Sequence, residues 1–120
     1  MFKALLVKFI MTLIISVIAF SFFDLNPAGW VIFVAVAATL VNYLVGDSYA
    51  LPIFGNMIAS VLNGALSIAV AYFTGLTTTA FNPTLGPLMF FGAFIAAGEV
   101  FFHAYLLRTR TGSPEHESDE

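Results

Sequence analysis

Residues 85–107 read LGPLMFFGAFIAAGEVFFHAYLL, and the few residues in that stretch that are not large and apolar decide the fold. Gly92, Ala96, Glu99 and His103 fall at i, i+4, i+7 and i+11, which is one face of an α-helix. The rest of the stretch is apolar for the roughly 20 residues that a membrane-spanning helix needs. Small and polar side chains on one stripe of such a helix belong against other helices, where backbones come close and polar groups find partners. The same spacing recurs at Ala35, Thr39, Asn42 and Gly46, and again at Asn56, Ser60, Asn63 and Ser67. The chain therefore reads as all-α: an integral membrane four-helix bundle, up-down-up-down, with a polar seam.

Composition points the same way. Of 120 residues 60% are hydrophobic and 9% charged, with mean hydropathy +0.97, a balance that a soluble domain of this length hardly tolerates. Cysteine is absent, which excludes disulfides and thiolate metal sites. The net charge of −3 owes much to the end of the chain, where Glu115, Glu117, Asp119 and Glu120 lie in a short hydrophilic stretch. There is no basic patch to support nucleic-acid binding. Nor is there a nucleophile and base at catalytic spacing, a glycine-rich phosphate loop or an HExxH sequence. The expectation is a non-enzymatic protein with no cofactor.

Four spans are expected at about 4–23, 28–45, 53–75 and 85–107, making a transmembrane domain over 1–108 and an acidic, disordered tail over 109–120. Lys3 and Lys8 before apolar sequence resemble a signal peptide, but no convincing small-residue cleavage site follows, so the first run reads as a retained helix. Pro27 after Asn26, Pro52, and Asn82-Pro83-Thr84 mark the starts of the later helices. Gly46-Asp47 reads as the end of the second helix and Pro52 as the restart of the third, with Asn56 satisfying backbone groups at its start. All basic residues lie near the ends of the chain, Lys3 and Lys8 at one and Arg108 and Arg110 at the other. With an even number of spans, the positive-inside rule then puts both termini in the cytoplasm. The expected setting is multi-pass in the bacterial cytoplasmic membrane.

Depth sharpens the reading. Lys8, Asn42, Asp47, Asn56, Asn63, Glu99 and His103 all fall in the cytoplasmic half or at its edge, leaving the outer half apolar. These seven are the candidate intramembrane polar network. Glu99 is the most costly of them, and an intramembrane ionisable group is a functional-site hypothesis with its partner to be named. Its candidate partners are His103, one turn away, and Lys8 from the first helix. In the leading reading these groups, with Asn42 and Asn63, form a buried network that fixes helix register. In a second, Glu99 exchanges protons in a transport cycle. In a third, Glu99 and His103 begin a metal site. That last reading is the weakest, because an i, i+4 pair supplies two ligands and a zinc site takes three or four from the protein. Asp47 would add a third only if the second helix placed it alongside. His116 belongs with the solvated tail, and Phe90-Phe91 and Phe101-Phe102 read as lipid-facing or packing residues.

Three stretches carry a resemblance. They are Lys3-Ala4-Leu5-Leu6-Val7-Lys8-Phe9-Ile10-Met11-Thr12, then Tyr43-Leu44-Val45-Gly46-Asp47 with Leu51-Pro52-Ile53-Phe54-Gly55-Asn56, and Gly98-Glu99-Val100-Phe101-Phe102-His103. Together they resemble the YndM-like family, small four-helix membrane proteins of Bacillus and its spore-forming relatives, a family of unknown function. The resemblance implies a four-helix integral membrane protein and brings no substrate, cofactor or catalytic residue. One departure stands out: the pattern usually has an acidic residue where this chain has Asn63, which weakens a proton-relay reading. The function expected is a structural or interaction protein, with a small oligomeric transporter or channel coupled through Glu99 as the alternative. Its partners would be the lipid bilayer and, through faces such as Gly92/Ala96, a second copy or another membrane protein.

Overall fold

In the computed structural model, residues 2–111 are described, and among them there are helices and no strands. Four rods are long and apolar enough to cross a membrane: Lys3–Phe23, Ala28–Phe54, Asn56–Thr77 and Leu85–Ala104. The last belongs to a helix that continues over Leu85–Thr111. Large apolar side chains face outward along all four, among them Phe22, Met57, Leu76 and Phe101 at 63–78% exposure. In water that surface would invite aggregation, whereas in hydrocarbon it is the surface a spanning bundle needs.

Two of the rods change winding part-way. The first is α-helical over Phe2–Ser16 and π-helical over Val17–Phe23. The second is α-helical over Ala28–Val41, π-helical over Asn42–Ala50, and α-helical again over Leu51–Phe54. This corrects the boundaries expected at 28–45 and 53–75. Gly46-Asp47 does not end a helix, and Pro52 does not start one; both lie inside the second rod. A proline inside an α-helix clashes with the carbonyl four residues earlier, and here the turns before Pro52 are widened, which eases that clash. The break comes at Gly55 alone, at φ 89° and ψ 176°, a conformation nearly confined to glycine. Asn56 also departs from its expected role: no side chain caps the third rod, and its amide reaches across to the fourth rod instead.

The ends of the bundle are built differently. At the end bearing the first and third turns, Asn26 donates to the Phe20 carbonyl at 3.1 Å and accepts from the Asn82 backbone N–H at 2.8 Å. Asp24 accepts from the backbone N–H and hydroxyl of Thr84 at 2.9 and 2.7 Å. These bonds staple the two turns together. Beneath them Phe20 packs edge-on against Phe81 and Phe91, with ring centroids 5.3 and 4.9 Å away, in a core that includes Val31, Val34, Ala71 and Ile95. The third and fourth rods come into close contact at Gly64 and Gly92, where a Cβ on Gly64 would lie 2.6 Å from the Gly92 carbonyl oxygen. The Gly92 stripe is thus used within the chain. Of the acidic tail expected over 109–120, the part from 112 onward lies outside the described residues, while 109–111 continue the fourth helix.

Candidate functional site

The opposite end of the bundle holds a cluster of buried ionisable groups. Lys8 of the first rod, Asp47 of the second, and Glu99 and His103 of the fourth are 0–1% exposed. They form a closed ring. The Lys8 ammonium donates to Glu99 Oε2 at 2.5 Å and lies 3.2 Å from Asp47 Oδ2. On the far side, His103 Nε2 is 2.6 Å from Asp47 Oδ1 and 3.4 Å from Glu99 Oε1. Phe102 covers the ammonium, with its ring centroid 4.9 Å from Nζ.

Asp47 joins this ring because of the π-helical winding. Five residues make about 1.4 turns of an α-helix, which would swing Asp47 well off the face of Asn42. The wider turn of a π-helix, with its i→i+5 bonds, brings position 47 much closer to the face of position 42. Both side chains are accordingly buried, as is Gly46 between them. Gly46 has its own part: a Cβ there would stand 1.7 Å from Asn63 Oδ1, so only glycine lets Asn63 lie against the second rod.

The third rod supplies the neutral partners. Asn63 Nδ2 donates to Asp47 Oδ1 at 3.3 Å. His103 Nδ1 is 3.0 Å from Ser60 Oγ and 3.1 Å from Asn56 Oδ1. Asn56 donates through Nδ2 to the Val100 carbonyl at 3.0 Å, which leaves its oxygen turned to the imidazole. Nε2 thus faces Asp47 Oδ1 and, at 3.3 Å, the Asn63 amide nitrogen, while Nδ1 faces Ser60 and Asn56. The ring sets Lys8 and an imidazole against two carboxylates, so each acid has a basic partner. Charge balance matters here, because an uncompensated buried charge costs several kcal/mol.

Of the seven candidates, six meet in this cluster: Lys8, Asp47, Asn56, Asn63, Glu99 and His103. Asn42 lies to one side and donates to Ser67 Oγ at 2.8 Å. Three further residues belong to the arrangement. Ser60 was visible in the polar seam but not singled out; it lies one turn from Asn56 and bonds the imidazole. Thr12 is fully buried one turn beyond Lys8, and its hydroxyl has no hydrogen-bond partner among the described residues. The Lys8/Thr12/Ser16 spacing was the available signal. Phe102 serves as the lid over Lys8, a role that an aromatic pair in an apolar run does not announce. Two carboxylate oxygens, Asp47 Oδ2 and Glu99 Oε1, accept no hydrogen bond beyond their ion-pair contacts.

Comparison with known proteins is informative about family and silent about chemistry. A family model described as "Protein of unknown function (DUF2512)" matches residues 1–120. A curated relative, the "Uncharacterized membrane protein YndM" of Bacillus subtilis (strain 168), is 36% identical over 80 residues. The match takes in 65% of this chain and 44% of that protein, so the chain spans less than half of the relative's length. No solved structure matches.

Proposed function

The chain belongs to the DUF2512 family, and from the ring its four spans build we propose a non-enzymatic, multi-pass membrane protein whose buried ion pairs lock one arrangement of helices for contact with other membrane components. The observation that carries this reading is the closure of the ring. Lys8, Asp47 and the Glu99/His103 pair tie the first, second and fourth spans together, and Asn56, Ser60 and Asn63 add the third. A lock of this kind is specific rather than simply stabilising, since apolar packing of equal volume often holds a core as well. By the distribution of Lys and Arg, the ring end lies on the cytoplasmic side and both termini with it. The natural setting for such a chain is a bacterial cell membrane.

The reading is tested with Glu99→Gln. The variant is expected to lower folded yield in detergent severalfold, while the native protein in liposomes carries no flux of protons or alkali cations. A native flux that Glu99→Gln abolishes without loss of fold would make proton-coupled transport the better account.

A further inference from the structure

The same cluster has the donors of a metal site. His103 Nε2 and one oxygen each from Asp47 and Glu99 lie within 4.8 Å of one another, and all three residues are buried. The missing third ligand, which weighed against a metal when only the Glu99/His103 pair was in view, is supplied by Asp47 through the π-helical winding. Donors about 2.1 Å from a tetrahedral ion stand roughly 3.4 Å apart. The separation of Nε2 from Glu99 Oε1 is 3.4 Å, and that from Asp47 Oδ1 is 2.6 Å. Glu99 Oε1 gives an independent indication: it is fully buried, accepts no hydrogen bond, and faces the imidazole.

We propose that Asp47, Glu99 and His103 form a binding site for a first-row divalent cation, and that Lys8 is the tethered cation holding the site closed when no metal is bound. The inference goes beyond the lock, which it takes as the metal-free arrangement. Lys8 and an entering ion compete for the same two carboxylates, since its ammonium is 2.5 Å from Glu99 Oε2 and 3.2 Å from Asp47 Oδ2. When a divalent ion enters, any proton on Nε2 leaves to solvent and the Lys8 ammonium withdraws along its flexible chain toward the near end of the first span, so the two carboxylates balance the ion's two charges. If Lys8 stayed, the site would carry one uncompensated positive charge. One imidazole with two carboxylates suits Zn²⁺, Mn²⁺ or Co²⁺ and disfavours Mg²⁺, which prefers oxygen alone.

The test uses the full chain, stripped of metal, in detergent. Co²⁺ serves as the visible-absorption probe and Zn²⁺ as its competitor. The native protein is expected to bind one Co²⁺ per chain with a ligand-field spectrum that Zn²⁺ displaces and excess Mg²⁺ does not. Lys8→Met is expected to bind at least tenfold more tightly, since it removes the competing cation. Glu99→Gln and His103→Gln are expected to lose the spectrum. Thermal unfolding is a second readout that does not need Lys8→Met to fold without metal: Zn²⁺ should raise the melting temperature of the native chain and leave Glu99→Gln unmoved. Binding that persists in Glu99→Gln, as from the acidic tail, overturns the assignment. So does the absence of both a Co²⁺ spectrum and a Zn²⁺ shift in the native protein. Neither result touches the lock, which rests on how Glu99→Gln affects folding.

Discussion

Lys8→Met alone should cost the metal-free bundle about 3–5 kcal/mol, and adding Glu99→Gln should return at least half of that loss. The first figure is the usual consequence of removing one partner from a buried ion pair, because the other charge stays behind unpaired. Lys8 lies between two buried carboxylates, so its loss leaves both without their ammonium in a cluster that water does not reach. Glu99→Gln alone removes one of the two acids that Lys8 pairs with. Together the changes leave the Asp47/His103 pair, 2.6 Å apart. Coupling of this size is expected only for residues in one network. Equilibrium unfolding in mixed micelles, followed by circular dichroism on all four members of the cycle, measures it. If the two losses simply add, Lys8 and Glu99 are not energetically joined and the ring is no lock.

The second large effect belongs to a residue that touches no charge. Gly64→Val should destabilise by about 3 kcal/mol, the upper part of the range for overpacking a close contact. Already its Cβ would lie 2.6 Å from the Gly92 carbonyl oxygen and 3.1 Å from Ala96 Cβ, so the third and fourth spans must separate. That crossing sets the distance between Ser60 and Asn63 on one span and Glu99 and His103 on the other. Gly86→Ala is the matched control, since nothing lies within 4 Å of a Cβ there. Unfolding measurements should separate the two substitutions clearly. Equal, small effects would mean that the crossing does not hold the bundle together.

Much of this was legible beforehand, for a physical reason. A stripe of small and polar residues in an apolar run has one stable destination in lipid, and the stripes of Gly92/Ala96/Glu99/His103 and Asn56/Ser60/Asn63/Ser67 indeed face each other. The partnership of Glu99 with Lys8 followed from depth and charge alone. What could not be read was the winding of the second rod. Gly46, Asp47 and Pro52 are ordinary turn residues, and helical periodicity assumes the α repeat. A π-helix defeats that assumption, carrying the helix on to Phe54 and turning Asp47 inward. At the true break, Gly55, a Cβ would meet nothing within 4 Å; its value is its positive φ. Asn56 misled for a related reason, since its position at a helix start hid a contact made across the bundle.

The most direct test is infrared spectroscopy of the native chain in lipid at neutral pH, with Glu99→Gln to assign the carboxyl bands. A ring held by the Lys8–Glu99 ion pair requires Glu99 to be ionised. The account therefore predicts carboxylate stretches that weaken in Glu99→Gln, and no protonated-carboxyl band that this variant removes. A protonated-carboxyl band present in the native protein and lost in Glu99→Gln would mean that Glu99 is not ionised beside Lys8. The ion-paired ring would then be wrong.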